Sequence, residues 1–374
     1  MHRVVGLCGV ALLLAGCAGS GSRGAGEPVA PFHPATVSDA PAKPANTFTV
    51  VATGDVLIHP ALTEQAEEDG GGKRDFAPLF AGIKPAVEAA DLAICHLEVP
   101  LAGPDGPFEG YPLFSAPPEV AAALAATGYD TCSTASNHTF DQGVDGVRTT
   151  LDTLDAAKLG HTGSARTEAE ADTPLVREVN GVKVGQVSFT FDFNQGTEEP
   201  SDTPWMANEL SVDAVLEAAR AARAAGAEVV IASLHWGIED KHDATADQRS
   251  MAEQILADPA VDLIVGHHAH VVQPFEKFGD KWVAYGLGNS VAKHEEPRGT
   301  TEEGLIGRFR FTKSDVGWRV DKAEYLPTLV DLGPPIRLKD LSTDTSVAAD
   351  RKREALERTD GVVLSLDPPG LTRP

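Results

Sequence analysis

The chain has 374 residues, of which 42% are hydrophobic, enough apolar material to bury a full core as one large or two modest domains. Asp and Glu number 55 against 31 Lys and Arg, for a formal net charge of −24. Such a surface repels phosphate backbones and anionic headgroups, so nucleic-acid binding and non-specific binding to anionic membranes are excluded, and an anionic substrate must be drawn in locally by metal or a few cations.

The amino end, MHRVVGLCGVALLLAGC, joins Arg3 to an apolar run of about a dozen residues, the length of a signal h-region and too short to span a bilayer. It closes on Leu14-Ala15-Gly16-Cys17, which resembles the bacterial lipoprotein signal; the resemblance implies lipidation of Cys17 and a lipid anchor on the extracytoplasmic face of the cell membrane. Residues 18–46 are rich in Gly, Ser, Ala and Pro without periodicity, and read as a disordered tether. Only Cys95 and Cys132 remain in the body. Both fall in expected strands and are open to pairing across neighbours, but their offsets from the strand ends differ, which favours two buried thiols over a disulfide.

The first expected strand, from Thr47, ends in Gly54-Asp55, where an acid just past a strand end is well placed as a hard-oxygen ligand. An Ala-rich helical stretch around Pro85 leads to a second strand, Asp91 to Pro100, which carries His96 and Glu98 at its end. Gly106 to Pro118 reads as a lid or a site wall, or as plain surface wrapping. A helix stopped by Gly128 feeds a third strand ending in Ser136-Asn137-His138-Thr139-Phe140-Asp141. Asn137 offers an amide oxygen to a metal, and His138 with Asp141 three residues on has the makings of an oriented acid or base.

After a helix (144–159), Leu175 to Phe193 holds two alternating runs joined at Asn180-Gly181, a hairpin signal. A helix over Val212–Ala225 precedes a buried strand ending in His235-Trp236-Gly237, and a helix over Ala246–Ala257 precedes Val261 to Gly266, which runs into His267-His268-Ala269-His270. Trp282 to Ser290 reads as one more strand with a Gly/Asn end, and from 334 the charged, Pro-punctuated sequence reads as a peripheral tail that wraps or frays.

Five strand ends of mixed Asp, Glu, Asn and His type point to a shared dinuclear metal site at the carboxyl edge of an α/β sheet. In this order the segments Gly-Asp, His-Leu-Glu, Asn-His-x-x-Asp-x-Gly, His-Trp-Gly, Gly-His-His-x-His and Leu-Gly-Asn resemble the calcineurin-like metallophosphoesterases and, more closely, the CapA branch associated with poly-γ-glutamate capsule synthesis, from about Phe48 to Leu332. The resemblance implies a metallophosphoesterase-like four-layer α/β sandwich over 47–333, two mixed β-sheets flanked by helices. It assigns Asp55, Glu98, Asn137, His235, His268 and His270 as ligands of two divalent ions (Mn, Fe or Zn), with Glu98 bridging, and gives His138 the role of acid, oriented by Asp141. Further candidates are His59, His96, His267 and Asn289. The sequence departs from the pattern at Leu57, which stands where the superfamily has a ligating His, so that one ion has a ligand fewer or borrows His59. His96 replaces Asn, Ala269 replaces Pro and Ser290 replaces Phe.

The implied function is a cell-surface, metal-dependent hydrolase of phosphoesterase type linked to poly-γ-glutamate or another envelope polymer. The expected partners are an anionic polymer or phosphoester substrate, the membrane through the lipid anchor, and other capsule-synthesis proteins. A non-hydrolytic accessory or binding protein of the same machinery stays open.

Overall fold

A computed structural model describes residues 46–374 apart from 195, 198 and 199; the signal, Cys17 and nearly all of the tether lie outside the described residues. No helix among the described residues is long and apolar enough to cross a membrane. In chain order the strands are β1 (Thr47–Val56), β2 (Leu92–Leu97), β3 (Thr131–Ser133), β4 (Gly160–Thr162), β5 (Leu175–Val179), β6 (Val182–Thr190), β7 (Val229–His235) and β8 (Leu263–His267). They continue as β9 (Phe275–Phe278), β10 (Lys281–Ala284), β11 (Asn289–Val291), β12 (Glu303–Ser314), β13 (Gly317–Asp331), β14 (Arg337–Asp340) and β15 (Leu371–Thr372).

These form two mixed sheets flanked by helices. The larger runs β14-β13-β12-β1-β2-β3-β4, with β11 beside the end of β1 and β15 beside β13; the smaller runs β5-β6-β7-β8-β10-β9. Each holds a parallel set: β1, β2, β3 and β4, running out to one edge of the larger sheet, and β6, β7, β8 and β10 at the centre of the smaller.

The strand period of two explains the layering. Val50 and Ala52 of β1 face the second sheet and pack with Ile94, Ile231, Leu263 and Val265, whereas Val51 between them faces outward onto Leu62, Val120 and Leu124 of the helices. Likewise Ile231 of β7 points inward while Val230 and Ala232 meet Val215, Ala219 and Ile255 of helices Val212–Ala224 and Ala246–Ala257. Strands buried on both faces need the near-continuous apolar runs seen in β1, β7 and β8. The order is therefore helix, sheet, sheet, helix, and both parallel sets deliver their carboxyl ends to one edge.

Three sequence expectations are corrected. Cys95 and Cys132 form a disulfide: β2 and β3 run parallel with the two residues directly paired, Cα atoms 4.5 Å apart, so position in the register, not distance from the strand end, decides. Trp282 to Ser290 is two strands, because Gly286-Leu287-Gly288 lets the chain leave β8's side in the smaller sheet and place β11 beside β1 in the larger. The segment after Leu332 is built into the body, β14 extending the larger sheet and helix Ala349–Val363 packing behind it. The hairpin at Asn180-Gly181 is present, with φ of 51° and 80° as its two-residue turn requires.

Candidate metal centre

Two glycines let the ligand-bearing ends come together. A Cβ on Gly54 would lie 1.9 Å from the Gly288 carbonyl oxygen, and one on Gly266 would lie 1.9 Å from the Tyr285 carbonyl oxygen. Only glycine allows those backbones to approach, and the Asp55 amide then donates to the Gly288 carbonyl at 2.9 Å, fixing Asp55 at the junction of the two sheets.

Around that point lie Asp55, His96, Glu98, Asn137, His138, His235, His267, His268, His270 and Asn289, every one buried. Two donor groups have their ligand atoms within 4.8 Å of one another: Asp55, His96 and His235 in one, Asp55, Glu98 and His270 in the other. Asp55 is the carboxylate common to both, and Glu98, the bridge that the family resemblance implies, places Oε1 3.6 Å from His270 Nε2 and 3.9 Å from His235 Nε2, near a histidine of each group. His96, only a further candidate in the sequence, belongs to the first group.

The ring orientations are set by neighbours. His96 Nδ1 lies 2.8 Å from Ser133 Oγ, and its Nε2 lies 3.0 Å from His235 Nδ1. His235 Nε2 is 2.7 Å from Asn137 Oδ1. Asn289 places Oδ1 3.0 Å from His270 Nδ1 and donates through Nδ2 to the His270 and Thr301 carbonyls, so it orients His270 from behind. His267 stacks on His96 with ring centres 4.0 Å apart; its Nδ1 stands 3.2 Å from Asp55 Oδ1 but off the line a hydrogen bond needs. His268 and His270 both hold left-handed backbone, φ 87° and 55°, a strain offset in part by the His268 amide donating to Asp55 Oδ2 at 3.1 Å.

His138 Nδ1 lies 2.6 Å from Asp141 Oδ2, which also accepts the Phe114 amide at 2.7 Å. The Asn194 amide approaches the same ring nitrogen at 3.0 Å and bonds Asn137, tying the loop after β6 to this pair. The Gly106–Pro118 segment is a site wall: Phe114 meets the rings of His138 and His59 edge-on at 4.8 and 5.3 Å.

His59 is placed beside His294, ring centres 4.8 Å apart, with its Nδ1 accepting the Lys293 amide at 3.2 Å; Leu57 points into the core and offers no ligand. His294 and Asn194 were missed from the sequence. Neither ends a strand, and a histidine or asparagine in a long loop carries no periodic signal.

Whether this set suits metal is answered by its unsatisfied atoms. Asp55 Oδ1, both Glu98 carboxylate oxygens, both His267 ring nitrogens and His268 Nδ1 are buried without a hydrogen-bond partner. Such a concentration of orphaned polar atoms, most of them acceptors, would be costly unless cations complete it. Burial holds His96 and His235 well below the ordinary imidazole range and His268 down to about 3, which keeps them in the neutral, ligating form. Burial also pushes the Glu98 carboxyl well up, though His270 pulls the other way. For His270 burial favours the neutral ring, but Glu98 and Asp55 outweigh it and push the ring up to about 10. A divalent cation would take the place of the proton that burial favours on Glu98 and of the positive charge favoured on His270. The residues fit the metal.

A sequence model of the family described as "Bacterial capsule synthesis protein PGA_cap" matches residues 49–294. The chain belongs to this family. Among curated relatives it is 25% identical over 278 residues to the PGA biosynthesis protein CapA of Bacillus subtilis (strain 168), covering 70% of each chain. It is 26% identical over 253 residues to the capsule biosynthesis protein CapA of Bacillus anthracis, 65% of this chain and 59% of that one, so it spans less than two thirds of the latter relative. A relative in Mycobacterium tuberculosis, 26% identical over 224 residues (55% of this chain and 57% of that one), is named a probable polyglutamine synthesis accessory protein. Among solved structures, the calcineurin-like phosphoesterase YfkN from Bacillus subtilis is similar with a TM-score of 0.44 and 16% identity over 86% of this chain and 98% of that one. A phosphatase from Mycoplasma pneumoniae reaches a TM-score of 0.46 and 15% identity over 76% of this chain and 94% of that one.

Proposed function

We propose that the chain is a metal-dependent hydrolase of phosphoesterase type, anchored to the outer face of the cell membrane through Cys17 and working in the synthesis of poly-γ-glutamate or a related envelope polymer. The observation that carries the reading is the pair of buried donor groups sharing Asp55, set beside the His138–Asp141 couple. Asp55, Glu98, His96, His235 and His270 would hold the ions, with Asn137, His267 and His268 beside them; divalent ions there supply Lewis-acid polarisation of a phosphoryl oxygen and a lowered pKa for water.

The chain's own residues do the rest. Asp141 accepts from His138 Nδ1 and fixes the ring, so the proton that reaches the leaving oxygen is carried on Nε2. The Phe114 amide donates to the same Asp141 oxygen and its ring meets His138 edge-on, holding the couple in place, and the walls around His138 limit the water that competes for that proton.

A second reading, a non-hydrolytic accessory of the same machinery, is favoured by one observation: Leu57 supplies no ligand where the wider superfamily has one, which weakens one metal position. The deciding measurement is metal stoichiometry by elemental analysis beside turnover of an aryl and an alkyl phosphoester. Hydrolysis of either by metal-loaded protein supports the enzyme; two bound metals with no turnover moves the function to the accessory reading. Detergent-phase partitioning in a lipoprotein-processing bacterium tests the anchor, which Cys17→Ser should abolish.

A further inference from the structure

In the donor group of Asp55, His96 and His235, the two imidazoles turn one nitrogen each toward the other, His96 Nε2 and His235 Nδ1 lying 3.0 Å apart. Their outer nitrogens are held from behind, His96 Nδ1 by Ser133 Oγ at 2.8 Å and His235 Nε2 by Asn137 Oδ1 at 2.7 Å. The two backing groups differ in kind. An amide oxygen only accepts, so Asn137 keeps the proton of His235 on Nε2 and leaves Nδ1 bare. A hydroxyl both donates and accepts, so Ser133 admits either tautomer of His96.

When Ser133 donates to Nδ1, the proton of His96 sits on Nε2 and is spent on His235, and neither inner nitrogen is free to ligate. When the hydroxyl turns its hydrogen to the Cys95 carbonyl, 3.3 Å away, Oγ accepts from Nδ1–H and both inner nitrogens present bare lone pairs beside Asp55. The first arrangement satisfies the pair without a cation, and the second is the one a cation needs. Ser133 is fully buried, which keeps bulk water from taking over its part. The strand register puts it there: Cys95 pairs with Cys132 and His96 with Ser133, so the disulfide, packed on the helix side, fixes the offset that sets the hydroxyl opposite the ring on the other face.

We propose that Ser133 is a positioning residue whose hydroxyl, by turning between His96 Nδ1 and the Cys95 carbonyl, converts His96 from a hydrogen-bonded ring into a ligand through Nε2. This rests on the proposed metal-dependent reading and deepens it. It concerns this chain in particular, since His96 stands where the family pattern has Asn. The ring stays neutral throughout: the proton lost from Nε2 is matched by one gained at Nδ1, both exchanged with water.

The test is zinc, an ion suited to imidazole, titrated into the full chain against a chromophoric chelator. Ser133→Ala should weaken one zinc position roughly 10–100-fold and leave the other unchanged. In a His96→Asn background the same substitution should cost nothing further, whereas a merely structural role would cost the same in both. Equal affinities for wild type and Ser133→Ala, or an undiminished loss in the His96→Asn background, overturn the proposal. Nitrogen NMR of the histidines in wild type needs no variant, so it decides even if Ser133→Ala does not fold: His96 should carry its proton on Nε2 without zinc and on Nδ1 with it. The same protonated nitrogen in both states overturns the proposal as well. Because neither readout is turnover, the expected zinc and NMR results from a chain that hydrolyses no phosphoester would leave this inference standing and remove only the hydrolase reading. A wild type that binds no zinc would remove both.

Discussion

Asp55 is the residue on which the metal site turns, since it alone belongs to both donor groups. Asp55→Asn should therefore empty both positions, whereas Glu98→Gln should leave metal at the one formed with His96 and His235; elemental analysis of the two variants distinguishes them, and equal losses would show that Glu98 also serves both positions. His138 is separable from the ligands. Its Nδ1 is engaged by Asp141, so His138→Ala should keep the wild-type metal content yet lose roughly 10²–10⁴-fold in turnover of an alkyl phosphoester. An aryl ester, whose leaving group needs little protonation, should be affected far less. Loss of metal in this variant would show that His138 is a ligand rather than the acid.

At the scale of elements, the larger sheet is stapled under the site: the Cys95–Cys132 bond joins β2 and β3 one residue before His96 and Ser133, which are themselves hydrogen-bonded. Closing this loop, a separation of 37 residues, is worth about 4 kcal/mol in the chain-entropy description. The double Cys→Ala variant should lower the urea midpoint accordingly, and reductant should then have no further effect on it. The rule that buried strands end in ligands made most of the centre legible, because Gly54-Asp55, His96-x-Glu98, His235 and His267 to His270 each follow an apolar run. What stayed hidden was register and long-range pairing. Nothing local says that Cys95 faces Cys132, that β10 and β11 part company across Gly286-Leu287-Gly288, or that Asn194 and His294 reach the site from loops. Those placements follow from how two sheets meet, which adjacent residues do not encode.

For the whole molecule, a bound metal would act as a bolt between the sheets, since Asp55, His96 and Glu98 come from the larger sheet and His235 and His270 from the ends of the smaller. An ion that binds only the native state, at a hundredfold over its Kd, adds about 2.7 kcal/mol. Melting with and without chelator should show that difference, and coincident curves for protein shown to contain metal would remove the bolt.

The strand pairing around β1 has one more consequence. The family match ends at residue 294, yet β12 begins at Glu303 and pairs along β1 from Thr47↔Thr312 to Thr53↔Ile306, with Phe311 stacked on Phe48 at 5.1 Å. The stretch that identifies the family is thus shorter than the stretch that folds. A fragment trimmed to the family boundary would present β1, the strand that carries Asp55, as a bare edge of alternating Phe48, Val50 and Ala52, open to pairing with its own copies. Such a fragment should collect in inclusion bodies, and any expression library cut at that boundary would report a missing activity that is in truth a missing neighbour.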